Sequence, residues 1–241
     1  VKTLLLAALC AAIPVVATAA PVRVLYAGSL VNLMERGIGP GFDKAGGNEF
    51  EGYAGGSGAL VNQIKGKLRA GDVFITANPA LNDKLTGPAN GNWVSWYVTF
   101  AQSPLVLGIN PSSRFANDFK TRPWYEVLSE PGIRIGRTDP KLDPKGALTV
   151  KLLDHAQSVY GKPGLANRIL GKAENPAQVQ PEESLAGRLQ SGQIDVGFFY
   201  ATETSDLHIP AVALPKEVAL QANYAVAILR GAPNAAGALQ F

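Results

Sequence analysis

Cysteine and histidine are nearly missing from this sequence, with one Cys and two His in 241 residues. Cys10, His155 and His208 leave little for a Cys/His zinc site or a haem. A lone thiol also supports no disulfide framework. Charge is sparse at 17% and nearly balanced, 22 Lys and Arg against 19 Asp and Glu, for a net +3. That surplus is small and scattered, whereas a nucleic-acid binder concentrates a basic stripe. These scarcities disfavour a metalloenzyme, a nucleic-acid-binding protein and a disulfide scaffold. What is plentiful is apolar residues, 46% of the chain, enough for a core and against wholesale disorder. The length suits one large domain or two modest lobes.

The first nineteen residues read as an export signal. Lys2 precedes an apolar run over residues 4–16, interrupted near its end by Pro14, and Ala17, Thr18 and Ala19 supply a small-residue cleavage pattern. The run is too short for a transmembrane helix, which needs about 20 apolar residues. Leu9 stands before Cys10 where a lipid-anchoring cysteine wants a small residue. Cleavage would remove Cys10 and Lys2, leaving an exported, cysteine-free chain in the periplasm.

Beyond residue 20, strand and helix signals alternate. Residues 22–26 (VRVLY) read as a strand; Ala27, Gly28 and Ser29 turn into a helical stretch carrying Leu30, Leu33 and Met34. Gly55, Gly56, Ser57 and Gly58 lead into a helix over 59–69, with Leu60, Val61, Ile64 and Leu68 on one face. Residues 72–77 form a buried strand. A second unit repeats the grammar: a strand end at 134–136, a loop over 139–146, a helix from about Ala147, another over 182–190 and a strand over 196–200. The apolar run 93–109 is either one strand crossing between lobes, the favoured reading, or two consecutive buried strands. The alternation predicts parallel sheets with helices on both faces.

Catalytic templates fit poorly. Ser57 sits in GGSGA, which ends in Ala where a nucleophile elbow has Gly and lacks a clear preceding strand. His155 and His208 occupy no recognisable base pattern. Gly56, Ser57 and Gly58 begin a dinucleotide fingerprint without its third glycine, and Lys65, Gly66 and Lys67 lack the upstream glycine of a phosphate loop. Asp139 and Asp143 could hold a hard cation, but each is followed by proline and no EF-hand pattern surrounds them. What recurs is Gly and Ser at helix starts. Gly28–Ser29 and Ser57–Gly58 would each set a hydroxyl and free backbone N–H groups at a positive helix end, where anions bind. Two such ends on parallel strands point to a ligand crevice at the strands' carboxyl edge.

The order of LYAGSL (25–30), GGSG (55–58), AGDVFI (70–75), DPKLDPKG (139–146) and GQID (192–195) resembles that of the periplasmic molybdate/tungstate-binding proteins of ABC importers. The likeness runs from Val22 to about Arg230, is greatest to the archaeal tungstate-binding branch, and is most specific at DPxLDPxG. It implies an α/β, two-lobe, type II periplasmic binding fold, each lobe a mostly parallel sheet flanked by helices, with the ligand cleft between. Lobe 1 would comprise residues 20–104 and 207–241, and lobe 2 residues 105–206. It implies a monomer that captures a small oxyanion and hands it to a membrane permease, with no cofactor, no nucleic acid and no chemistry of its own. Residue by residue, the anion contacts fall on Gly28, Ser29 and Ser57 from lobe 1, and on Asp143, Pro144, Lys145, Glu182 and Tyr200 from lobe 2. Glu183 is the alternative to Glu182.

Carboxylates beside an anion need a reason, because like charges repel. The anion could carry a proton, as hydrogen phosphate does. Asp143 and Glu182 could instead ligate the metal of molybdate or tungstate, as the archaeal branch implies; no other metal is expected. Or both could point away and cap helices. Sulfur offers no such centre, so two facing carboxylates disfavour sulfate. Lys145 replaces a small residue or cysteine of the archaeal branch, and its side chain is expected to point out of the cleft. The chain stops at Phe241 where relatives continue into a helix packed on lobe 1, which is expected to leave an apolar face uncovered. Rival readings are a binder of sulfate, phosphate or a phosphonate; an exported hydrolase with Ser57 as nucleophile and His155 or His208 as base; and a sensor or adhesion module on the same fold.

Overall fold

The computed structural model describes residues 20–172 and 175–241, so the expected export signal lies outside the described residues. Strand β1 (Ala20–Ala27) buries every side chain from Val24 to Ala27. It runs straight into a continuous helical stretch: a 3-10 turn Gly28–Leu30, α1 (Val31–Leu33), a π turn Met34–Ile38 and α2 (Gly39–Ala45). Strand β2 (Asn48–Gly55), α3 (Ser57–Lys65) and β3 (Val73–Thr76) follow. Both β2 and β3 pair with β1 in parallel, one on each side, so two consecutive crossovers deliver the ends of β1 and β2 to the same edge. Helix α3 ends at Gly66, and Lys67 adopts φ +54°. The helix expected to reach 69 is therefore shorter, and Leu68, assigned to its buried face, is 79% exposed.

After α4 (Ala80–Asp83), the apolar run becomes one strand, β4 (Val98–Ile109), beginning five residues later than the run itself. Its partners change midway. Val98 to Pro104 pair with β8 (Gln221–Ile228), and Leu105 to Ile109 pair with β6 (Val196–Tyr200), both antiparallel. The first sheet thus continues into the second along a single strand. Helix α5 (Trp124–Val127), β5 (Ile135–Gly136), α6 (Pro144–Val159), α7 (Leu165–Leu170) and α8 (Glu182–Gln190) lie between the two halves of that pairing. Helix α9 (Ala201–Asp206), β7 (Ala211–Ala213) and α10 (Ala235–Gln240) complete the described chain.

The strand order is β2-β1-β3-β8-β4-β6-β5, with β7 also on β4. Pairings made by β1 and β5 are parallel, and those made through β4 and β8 are antiparallel, so the sheet is mixed rather than mostly parallel. Strand β7 pairs with Val106–Gly108 of β4. Within residues 207–241, residues 211–213 hydrogen-bond to the second sheet and β8 pairs with β3 of the first. One further start shifts as well. Helix α6 begins at Pro144, not near Ala147, because Asp143 caps it by accepting the Lys145 N–H and Pro144 fits the first turn, where no N–H is needed. Helix α10 lies against β1 and β8. An apolar groove of about 350 Å3 adjoins it, lined by Leu33, Ile38, Trp96, Phe100, Leu239 and Phe241.

Asp72 ties the first sheet together from a fully buried position. Its carboxylate accepts the Arg23 N–H at 2.7 Å and the Asn234 N–H at 2.6 Å, linking β1 to the segment before α10. Asp72→Ala leaves two backbone donors without acceptors, each costing about 1–3 kcal/mol when buried. The expected loss is about 3 kcal/mol, a melting-temperature fall of roughly 6–12 °C, readable by thermal denaturation against wild type.

Candidate functional site

The turn after β1, the start of α3, the start of α6 and the start of α8 converge where the two sheets meet. Glycine sets the approach. A Cβ on Gly56 would stand 2.7 Å from the Leu142 carbonyl oxygen, and one on Gly58 2.8 Å from the same atom. Without side chains there, the Ala59 N–H donates to Leu142 O at 3.0 Å, joining α3 to the loop that carries Asp143. Gly28 makes the same kind of room. Its Cβ position lies 2.5 Å from Glu182 Oε2, so the carboxyl at the start of α8 rests directly on the turn after β1. Beside this contact opens a cleft of about 380 Å3, lined by Tyr53, Gln63, Thr138, Asp143 and Glu182.

The centre of the cluster is ionic and buried. Asp143 Oδ1 accepts from Thr138 Oγ1 at 2.7 Å and from the Lys145 N–H at 2.9 Å. Lys145 Nζ lies 2.7 Å from Glu203 Oε1 and 3.2 Å from Glu182 Oε1. Glu203 Oε2 in turn accepts the Tyr200 N–H at 2.7 Å. Ser29 Oγ and Tyr224 OH share a hydrogen bond of 3.0 Å, and the Tyr224 ring meets that of Tyr200 edge-on at 6.1 Å. Within this cluster, two buried atoms have no hydrogen-bond partner among the described residues: Glu182 Oε2 and Tyr200 OH.

One cation cannot serve three carboxyls. Burial, followed by the Asp143 charge, pushes Glu182 well above the usual carboxylate range, against the pull of Lys145. Burial raises Glu203 as well, despite its contact with Lys145. Burial opposes the Lys145 charge, but Glu203, Glu182 and Asp143 outweigh it and hold the ammonium above its ordinary value. Tyr200 is raised strongly, first by burial and then by the Asp143 charge. The carboxyls of Glu182 and Asp143 stand close enough to raise Glu182 by charge and by side-chain contact. Such an approach is a bond only while one of them holds a proton; with both ionised, Glu182 Oε2 has nothing to accept from.

Of the residues singled out in the sequence, Gly28, Asp143, Lys145, Glu182 and Tyr200 meet in this cluster, and Ser29 joins it through Tyr224. Ser57 is fully buried beside it, and its hydroxyl accepts the Ala77 N–H at 3.2 Å instead of capping α3. Pro144 faces elsewhere, lining a separate opening of about 600 Å3 with Ala77, Asn78 and Leu220. Lys145 contradicts the expectation that it points out of the cleft: it is 0% exposed, because two acids inside the fold draw it inward. Glu182 is buried and Glu183 exposed. His155 bonds the Glu217 carbonyl and His208 is exposed; among the described residues neither is hydrogen-bonded to Ser57. Sequence reasoning missed Thr138, Glu203 and Tyr224. Glu203 alone had a signal, standing three residues after the Tyr200 that precedes α9, the spacing of a capping box.

Comparison with known proteins gives a consistent picture. The family described as bacterial extracellular solute-binding protein matches residues 22–241. A Haloferax volcanii protein, provisionally named an ABC transporter molybdenum-binding protein, is 31% identical over 200 residues, 83% of this chain and 61% of its own length. The molybdate/tungstate-binding protein of Thermococcus kodakarensis is 28% identical over 195 residues, 72% of this chain and 54% of its own. The chain thus spans between half and two thirds of these curated relatives. Among solved structures, the Azotobacter vinelandii periplasmic molybdate-binding protein superposes with TM-score 0.67 at 20% identity, covering 91% of this chain and 90% of that one. A sulfate-binding protein of Mycobacterium tuberculosis gives 0.68 at 14%, covering 91% and 79%. At those identities the likeness is one of fold.

Proposed function

This chain belongs to the bacterial extracellular solute-binding protein family, and from that premise we propose that it captures molybdate or tungstate for an ABC importer. It is a binding protein, not an enzyme. In this reading it is exported to the periplasm by the leader of residues 1–19, works as a monomer and delivers the oxyanion to a membrane permease. Residues 20–104 with β8 and α10 form one lobe, residues 105–206 with β7 the other, and β4 is among the strands about which the cleft closes. Gly28, Ser29, Ser57, Asp143, Glu182 and Tyr200 surround the ligand.

One observation carries the choice of ligand: the Glu182 and Asp143 carboxyls come together inside a buried cluster, with Glu182 Oε2 lacking a donor. A fully ionised sulfate brings only oxygens to that place and would be repelled. Molybdate and tungstate carry a metal that can add carboxylate oxygens, so the same two side chains become ligands instead of obstacles. The Tyr200 hydroxyl, also without a partner, is then a donor for an oxo group. The names of the relatives support the same ligand class.

The test is calorimetric titration of residues 20–241 with tungstate, molybdate, sulfate and phosphate. Tungstate or molybdate is expected to bind at least 100-fold more tightly than sulfate, about 2.7 kcal/mol. A preference for sulfate would remove the reading. A preference for phosphate would make Glu182 or Asp143 an acceptor for the ligand's proton and the metalate assignment wrong.

A further inference from the structure

We propose that Lys145 is the positioning residue of the oxyanion site, holding one oxygen of each facing carboxyl so that only the other is offered to the ligand. The inference rests on the metalate reading above and adds a residue that does not itself touch the ligand. Lys145 works with both its side chain and its main chain. Its Nζ lies 3.2 Å from Glu182 Oε1, and its backbone N–H donates to Asp143 Oδ1 at 2.9 Å. Each acid is thereby engaged through one oxygen. The remaining oxygens are Glu182 Oε2, which has no partner, and Asp143 Oδ2, which stands 3.3 Å from the Cβ position of Gly56 across the cleft.

Its other contacts fit the same role. Lys145 Nζ pairs with Glu203 Oε1 at 2.7 Å, while Glu203 Oε2 receives the Tyr200 N–H. The third site residue of the second sheet is therefore tied to the same ammonium. The Phe199 and Tyr200 rings stand 5.5 and 5.3 Å from Nζ. Farther along the chain, Thr149 Oγ1 donates to the Lys145 carbonyl at 2.8 Å and fixes the first turn of α6. All of these partners come from residues 143–203, so the ligating arm is assembled within the second half of the chain. A site whose groups are already oriented spends less binding energy on ordering them.

Charge makes the arrangement specific. Without the ammonium, nothing holds Glu182 Oε1 in place beside the charges of Glu203 and Asp143, and Glu182 turns away from the ligand. It then stops being a metal ligand. Ligands that use only hydroxyls and amides lose much less, so the selectivity ratio separates positioning from general support of the fold.

The experiment measures tungstate and sulfate affinities for wild type, Glu203→Gln, and the double variant Lys145→Met/Glu203→Gln. The double variant removes the acid that a lone Lys145→Met would strand. All three are compared at a temperature where melting curves show them folded. Glu203→Gln keeps Lys145 on Glu182 and sets the reference, since it carries whatever the loss of Glu203 itself costs. Relative to that reference, the double variant is expected to lose at least 30-fold in tungstate affinity, with sulfate affinity within threefold, so the ratio collapses. A double variant with the wild-type ratio overturns the role of Lys145 and leaves the metalate reading standing. A wild-type protein that does not bind tungstate overturns the metalate reading, and the proposal with it.

Discussion

Glu182→Gln is expected to lower tungstate affinity on the order of 100-fold, about 2.7 kcal/mol, while making the ligand-free protein more stable at pH 8. The two effects share a cause. Glu182 is buried beside Asp143, and both burial and that charge favour its protonated form. In the unfolded chain a glutamate loses its proton near pH 4.3, so above that value the folded protein holds a proton the unfolded chain has released. Stability that depends on this proton is present below the ordinary glutamate pKa and is lost as pH rises towards the raised one. Glutamine imitates the protonated carboxyl, can donate to Asp143 and has no proton to lose. The melting temperature of ligand-free wild type should therefore fall as pH climbs from 5 to 8, and the variant's should fall less. Glu203 is also raised and contributes slope of the same sign, so the difference between the two proteins, not the wild-type slope alone, reports Glu182. A wild-type slope equal to the variant's would mean that Glu182 is ionised at no cost. Undiminished tungstate binding by the variant would mean that it is not a ligand.

The sequence carried more of the local architecture than of the site's chemistry. Strands such as β1 and β3 announce themselves by β-branched and aromatic runs, and helix α3 by its apolar period. What it could not carry was decided at a distance. Lysine is almost never fully buried without partners, so Lys145 reads as a surface residue until the fold brings Glu203, 58 positions later, to 2.7 Å from its ammonium. Ser29 likewise reads as a helix cap until a tyrosine 195 positions away takes its hydroxyl. The start of α6 is hard to read for a local reason. Two prolines in DPKLDP suggest a loop, yet only the second opens the helix, with Asp143 as its cap. Periodicity puts Leu68 on a buried face, but it does not register that Gly66 ends the helix. A three-residue strand such as β7 offers too little pattern to say which half of β4 it joins.

Gly28→Ala is expected to cost tungstate binding as much as Glu182→Gln, although it removes no functional group. Gly28 does not need glycine for backbone reasons, since its φ is not among the positive values. It needs glycine for space. An added Cβ would lie 2.5 Å from Glu182 Oε2, 3.0 Å from Cδ and 3.2 Å from Cγ, inside van der Waals contact with the whole end of that side chain. A free glutamate would swing aside at little cost. This one is held by Lys145 at 3.2 Å and has 7% of its surface exposed. The methyl must then break the ion pair or keep the start of α8 off the turn after β1, and either displaces the carboxyl from the place where the ligand would meet it. Thermal stability of the ligand-free protein should change by only a few degrees, because parting the two elements relieves the clash. Ser29→Ala is a milder neighbour, losing one hydroxyl bond to Tyr224, worth about 0.5–1.5 kcal/mol and so roughly tenfold at most. The decisive comparison is a double-mutant cycle, since residues that share one contact do not add. If Gly28 acts by making room for Glu182, then Gly28→Ala introduced into Glu182→Gln should add less than threefold to the loss already present. Full additivity would mean that Gly28 serves the anion through its own backbone, independently of the carboxylate resting on it.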